Sequence, residues 1–131
     1  STLTIPAARL NPGLRLIVTG GLFHHETESF IGSKALDTIR DYNVRLAFIG
    51  TDGFTAERGL TTQFAEGADA IRAMHARAEE TWLLADSSKY GRAGFVNVLP
   101  LHDVAGVITD SGIGEESVAA LRELGVQVLI A

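Results

Sequence analysis

The sequence predicts an α/β domain with a Rossmann-like, mostly parallel sheet and helices on both faces. Three observations carry this expectation. Short apolar runs alternate with segments of helical periodicity. The runs are apolar on both faces rather than alternating, as in strands covered on both sides by helices. The order strand, helix, strand recurs three times, which implies parallel pairing through right-handed crossovers. The 131 residues, 46% of them apolar, suffice for one hydrophobic core, so a single domain over 1–131 is expected.

Taken in order, STLTIPAARLNPG shows no strand pattern. Leu14–Thr19 (LRLIVT) reads as the first strand, closed by the backbone break Gly20-Gly21. Gly32–Tyr42 places Ala35, Leu36 and Ile39 at helical spacing, and Val44–Ile49 (VRLAFI) reads as a strand ending at Gly50. In Glu66–Glu79, Gly67, Ile71, Met74 and Ala78 share one stripe, with Asp69, Arg72, His75 and Glu79 largely off it. Thr81–Ala85 and Val104–Thr109 read as strands. Glu115–Leu124 reads as a helix stopped by Gly125 in the manner of a C-terminal cap, and Val126–Ile130 as a final strand.

Composition narrows the function classes. The absence of cysteine excludes disulfide staples, thiolate metal sites and cysteine nucleophiles, and a reducing cytoplasm is the natural setting. A formal net charge of −5 disfavours nonspecific contact with nucleic acid or an anionic membrane by this segment itself. The apolar runs fall short of a membrane span, and no leader of the signal-peptide kind is expected. His24-His25 beside Glu26 and Glu28 invites a metal reading, but adjacent histidines on a strand point to opposite faces and His75 and His102 are remote, so no metal site is expected. No G-x-S-x-G elbow, P-loop or G-x-G-x-x-G fingerprint is present, and no cofactor is expected.

In a sheet of this class, ligands sit beyond the carboxyl ends of the strands. Four segments should meet there and could line a shared crevice: Gly20–Glu26, Gly50–Thr62, Asp86–Gly91 and Asp110–Ser117. Asp52-Gly53 is either a turn dipeptide or a turn that offers Asp52 to ligand hydroxyls. Lys89 is either a solvated surface lysine or, among Ser87, Ser88 and Gly91, a point charge for a phosphate. Asp110–Ser117 reads most simply as a turn into a capped helix, with Ser111 and the acids favourable near its N-terminus.

The series LRLIVTGG, ESFIG, FIGTDGFTAERGLTT, LLADSSKYG and GVITDSG resembles, in order and spacing from about Leu14 to Ala131, the C-terminal effector-sensing domain of the DeoR family of bacterial transcriptional regulators. The resemblance implies the α/β fold shared with ribose-5-phosphate isomerase and glucosamine-6-phosphate deaminase. It also implies a phosphorylated sugar or sugar derivative as effector, operator DNA bound through an N-terminal helix-turn-helix domain outside this chain, and a homo-oligomer. The family's GxDG turn falls on Gly50, Asp52 and Gly53, its G-x-T element on Gly59 and Thr61, and its D-x-S-K on Asp86, Ser88 and Lys89. Asp52 would then hold sugar hydroxyls and Lys89 would approach the phosphate. Two departures stand out: Gly67 replaces an acid, and Ile71 a lysine, of the family's helix. The family's D-S-G-T-T-T loop would precede residue 1, so the chain is expected to be a fragment lacking the helix-turn-helix domain and the first part of the sensor.

Two other readings stay open at this stage. One is a sugar-phosphate isomerase or deaminase relative, with Asp52 as general base, disfavoured because no partner acid or base is fixed near it by spacing. The other is an oligomerisation domain in which the polar turns are caps.

Overall fold

A computed structural model describes residues 2–131. The elements run α1 (Thr4–Arg9), β1 (Leu22–His24), β2 (Ser29–Ile31), α2 (Ser33–Arg40), β3 (Val44–Ile49), β4 (Gly53–Thr55), β5 (Gly59–Thr62), α3 (Ala65–Ala76), β6 (Ala78–Leu84), β7 (Val96–Leu99), β8 (Gly106–Thr109), α4 (Glu115–Glu123) and β9 (Gln127–Ile130), with 3₁₀ turns at Ser87–Lys89 and Leu101–Asp103. The expected α/β architecture is present: β3, β6, β8 and β9 form a four-stranded parallel sheet in that order, flanked by helices. Chain order and spatial order coincide across it, so each crossover returns the chain one strand further along.

The parallel strands bury part of their apolar runs, while Val44, Phe48, Leu84, Leu129 and Ile130 stay 43–52% exposed. Leu83 and Val107, paired with each other in the ladder, are fully buried and lie in one core with Leu121 of α4, Val126, and Phe54 and Leu60 from β4 and β5. Burying each such side chain contributes roughly 1.5–3 kcal/mol relative to leaving it exposed. The stop at Gly125 is as expected: with φ +80 it occupies the left-handed region, its N–H donates to the Arg122 carbonyl, and the Val126 N–H donates to the Leu121 carbonyl. That is a Schellman closure, and it turns the chain directly into β9.

Several expectations are corrected. Leu14–Thr19 forms no strand: Leu14, Leu16, Ile17 and Val18 are 44–63% exposed and no ladder partner exists among the described residues. A β-forming sequence becomes a strand only where a neighbour takes up its N–H and C=O groups, and none lies alongside. Of the three expected strand–helix–strand units, those built on β3–α3–β6 and β8–α4–β9 stand. The third fails only in its first strand: α2 and β3 are formed, but Leu14–Thr19 is not a strand, and between β6 and β8 the chain passes through β7 and the two 3₁₀ turns.

The helix expected over Glu66–Glu79 ends at Ala76, and the following strand begins at Ala78 rather than Thr81. The Val44 N–H donates to the Arg77 carbonyl, so pairing with β3 claims residues that the helical stripe had included. The strand expected from Val104 begins at Gly106, because Val104 N–H closes the preceding 3₁₀ turn on Leu101. The N-terminal segment without a strand pattern contains the short helix α1.

The larger omission is a second sheet. The segment Gly50–Thr62, read as a ligand loop, folds into the hairpin β4–β5, which β7 extends to a three-stranded antiparallel sheet. This sheet is joined to the chain leaving β6: Tyr90 bridges Phe54, Gly91 N–H donates to the Phe54 carbonyl, and the two rings meet edge to face at 5.3 Å.

Candidate functional site

The carboxyl end of β3 feeds a tight polar turn. Asp52 N–H donates to the Thr61 carbonyl at 3.1 Å, and the Thr51 hydroxyl reaches the Thr61 carbonyl at 2.7 Å and the Gly53 carbonyl at 2.8 Å. Asp52 Oδ2 accepts from the Thr62 hydroxyl at 2.7 Å and from the Gln63 N–H at 2.9 Å. One carboxylate oxygen therefore fixes the entry into α3, whose N-terminal boundary residue Phe64 offers no side-chain cap. Asp52 Oδ1 has no hydrogen-bond partner among the described residues.

This turn stands over a cleft of about 690 Å³. Gly50, Thr51, Asp52 and Thr62 supply its polar rim, with Glu26 and Thr27 from the β1–β2 connection. Phe48 and Ile49 of β3, Leu16, Ile17 and Val18, and Gly67, Ala70, Ile71 and Met74 of α3 supply apolar lining. Gly67 and Ile71, the two departures from the family pattern, thus fall on the cleft and leave the α3 wall without a charged group.

Among the residues expected from sequence to bind the ligand, only Gly50 and Asp52 line this cleft. Gly53, Gly59 and Thr61 are buried structural pieces of the small sheet. A Cβ on Gly53 would lie 2.5 Å from the Arg92 carbonyl oxygen. Thr61 donates to the Gly53 carbonyl at 2.9 Å and accepts from the Gly94 N–H at 2.6 Å.

Ser88 and Lys89 leave the end of β6, the neighbour of β3, but do not line the cleft. Ser88 donates to Asp86 through both its N–H and its hydroxyl. Lys89 is half-buried and forms no ion pair among the described residues.

The expected common crevice therefore divides, and the segments after β6 and β8 bind each other. Asp110 accepts from the Ser87 N–H and hydroxyl, both at 2.8 Å, and from the Gly112 N–H at 2.7 Å. The expected turn is present and Asp110 closes it, but Ser111 does not cap the helix: α4 begins at a Gly114 boundary without a side-chain cap, with Glu115 and Glu116 in its first turn.

The Ser87 N–H, followed by its hydroxyl and the Gly112 N–H, holds the Asp110 carboxyl below the usual carboxylate range. Asp86 is lowered as well, first by the Ser88 hydroxyl, with the Ser88 N–H and the Lys89 charge acting in the same direction. Both groups are more acidic folded than unfolded, so their contribution is present above about pH 4 and is lost as pH falls through the folded values. Urea midpoints measured from pH 6 down to pH 2 should fall on the acid side, and the Asp86→Asn/Asp110→Asn double variant should show a shallower fall. Parallel curves would show that these carboxylates carry no acid sensitivity.

No group of three or more metal-ligating side chains occurs among the described residues, and none of their helices is long and apolar enough to cross a membrane. His24 is engaged otherwise, with Nδ1 3.0 Å from the Thr27 hydroxyl and its ring against Phe64 at 5.2 Å.

A parallel α/β sheet with a polar turn over a cleft at its carboxyl edge has the arrangement in which sheets of this class take their ligands. Comparison with known proteins gives the family: the model of the DeoR C-terminal sensor domain matches residues 1–111, and the chain belongs to that family. It is 35% identical over 115 residues to the HTH-type transcriptional regulator YulB of Bacillus subtilis, covering 88% of this chain and 45% of the relative. It is 32% identical over 112 residues to the HTH-type transcriptional regulator GlpR of Haloferax volcanii, covering 86% and 44%. It is 29% identical over 118 residues to the HTH-type transcriptional repressor GlcR of Bacillus subtilis, covering 90% and 45%. The chain thus spans less than half the length of these relatives. It is a sensor domain of the kind carried by DeoR-type transcriptional regulators.

Proposed function

We propose that this domain senses a phosphorylated sugar or sugar derivative and controls a DNA-binding domain, outside this chain, that represses genes of sugar metabolism. The observation that carries the reading is the divided role of Asp52. Oδ2 is committed to Thr62 and Gln63, while Oδ1 is left for a ligand hydroxyl at the rim of a cleft. Gly50, Thr51 and Thr62 place backbone and hydroxyl groups beside it. Lys89 is the cation proposed for the phosphate: it emerges at the same sheet edge and forms no ion pair among the described residues. Recognition without turnover is supported by the regulatory character of the relatives and by the use of Asp52 as a structural acceptor.

A thermal-shift series with phosphorylated sugars tests this, since a ligand selective for the folded form at a hundredfold excess over Kd stabilises it by ~2.7 kcal/mol. Lys89→Ala should weaken a phosphorylated ligand by roughly 10- to 100-fold, the range expected for a charge-assisted contact, and its unphosphorylated analogue far less. Equal losses for both ligands would remove Lys89 from the phosphate. Asp52→Asn should weaken binding while the amide oxygen keeps the contacts to Thr62 and Gln63. Sugar-phosphate turnover that vanishes in Asp52→Asn would establish an enzyme instead.

A further inference from the structure

A second cavity, of about 380 Å³, shares no residue with the cleft beneath Asp52. Its size falls within the roughly 300–1,000 Å³ of small-ligand sites. It lies toward the amino edge of the parallel sheet, where the 3₁₀ turn Leu101–Asp103 leads into β8 and Leu124 ends α4. Leu99, Leu101 and Leu124 give it an apolar lining, and two guanidinium groups, on Arg58 and Arg72, line it as well. Arg72 is fixed by the small sheet: Nε donates to the Val98 carbonyl at 3.2 Å, Nη2 to the Asn97 carbonyl, and Nη1 to Asp69 at 3.1 Å. These contacts use three of its five N–H donors and leave one on each Nη without a partner among the described residues. The backbone that carries Arg58 is fixed too. Its N–H donates to the Thr55 hydroxyl at 3.0 Å, and the next residue, Gly59, packs so closely on the Leu99 carbonyl that no Cβ fits. The Arg58 guanidinium itself has no hydrogen-bond or ion-pair partner among the described residues.

We propose that this cavity is a second ligand site, and that it takes a small aliphatic monocarboxylate. The carboxylate is held by Arg58 and by the two remaining N–H groups of Arg72, and the hydrocarbon body rests on Leu99, Leu101 and Leu124. Charge balance selects a monoanion. Glu57 lies on the same cavity and Asp69 already pairs with Arg72, so the two guanidinium groups are left to balance about one negative charge. A phosphate dianion would bring a second charge close to Glu57. Shape selects in the same direction, because a planar carboxylate matches the fork of a guanidinium, and an apolar lining gains from a body that leaves water. The site stands apart from the effector proposed at Asp52 and does not depend on its identity.

Titration of the ¹⁵N-labelled 131-residue protein with 4-methylpentanoate, its neutral amide and inorganic phosphate tests the proposal. With 4-methylpentanoate the Arg72 Nε–H and the Arg58, Leu99 and His102 amides should shift and saturate. The amide, which lacks the charge, and phosphate, which lacks the body, should each bind about tenfold more weakly or worse. Arg58→Gln should weaken 4-methylpentanoate by about tenfold and leave Tm unchanged, since this exposed side chain holds nothing else in the fold. Asp52→Asn should leave the same titration unaltered. Shifts that never saturate, or an unchanged Kd in Arg58→Gln, would overturn the site. Equal affinity for the amide or for phosphate would overturn the ligand class, and shifts centred on Asp52 and Thr62 would move the carboxylate to the other cleft.

Discussion

Gly59→Ala is expected to destabilise the domain by about 4 kcal/mol, lowering Tm by roughly 15 °C. Two effects add. Gly59 has φ +70, a left-handed conformation that costs an L residue about 1–2 kcal/mol. An alanine Cβ would also overlap the Leu99 carbonyl oxygen and lie 2.7 Å from Pro100 Cα, and these are backbone atoms with no rotamer to change. Relief requires β5 to draw away from β7 beside the Leu60–Leu99 pair, opening the core around two buried leucines. Gly91→Ala separates the effects, because Gly91 has φ +80 with nothing within 4 Å of its Cβ position. That variant should lose only about 1 kcal/mol. Equal thermal shifts for the two variants would show that the close approach of Leu99 contributes nothing.

The same glycine shows why the sequence was legible in some places and not in others. The strands β3, β6, β8 and β9 and the helices between them were readable because each strand lies in a continuous apolar run bounded by breaks, and α3 and α4 write a periodic stripe. The small sheet left no such mark. Its strands β4, β5 and β7 are three or four residues long, and β5 buries Thr61 and Thr62 along with Leu60, so hydropathy gives no contrast. Leu14–Thr19 failed in the opposite sense. Its residues carry a strand pattern, but a strand is a property of a pair, and no ladder partner lies beside it among the described residues.

The candidate site was legible in part for a related reason. The rule that ligands gather at the carboxyl edge of a parallel sheet placed Asp52 and Gly50 at the cleft. Motif matching cannot separate residues that touch a ligand from residues that shape the turn presenting it. Gly53, Gly59 and Thr61 belong to that turn and its support. The exchange between Ser87 and Asp110 was missed because it joins groups 23 residues apart, and both had been read only within their own loops. Thr62 was missed as well, although its position one residue after Thr61 put its hydroxyl on the other face of β5, toward Asp52.

Thr61→Val is expected to cost about 2–3 kcal/mol, although the two side chains have nearly the same shape. Thr61 is fully buried, and the β5–β7 register shifts between Leu60 and Thr61. Its hydroxyl ties β5 to two neighbouring segments: it accepts from the Gly94 N–H and donates to the Gly53 carbonyl. The Gly53 carbonyl keeps the Thr51 hydroxyl after substitution, whereas the Gly94 N–H is left with no acceptor. The cost is therefore mainly one orphaned donor plus the lost hydroxyl contact, not a cavity. Thr61→Ser retains the hydroxyl and loses one methyl, and should cost only about 1 kcal/mol. Because the Thr61 carbonyl also receives the Asp52 N–H and the Thr51 hydroxyl, the valine variant should loosen the turn that presents Asp52, visible as faster exchange of the Asp52 amide. If valine and serine were equally stable by urea unfolding, the hydroxyl would not be what holds this turn in place.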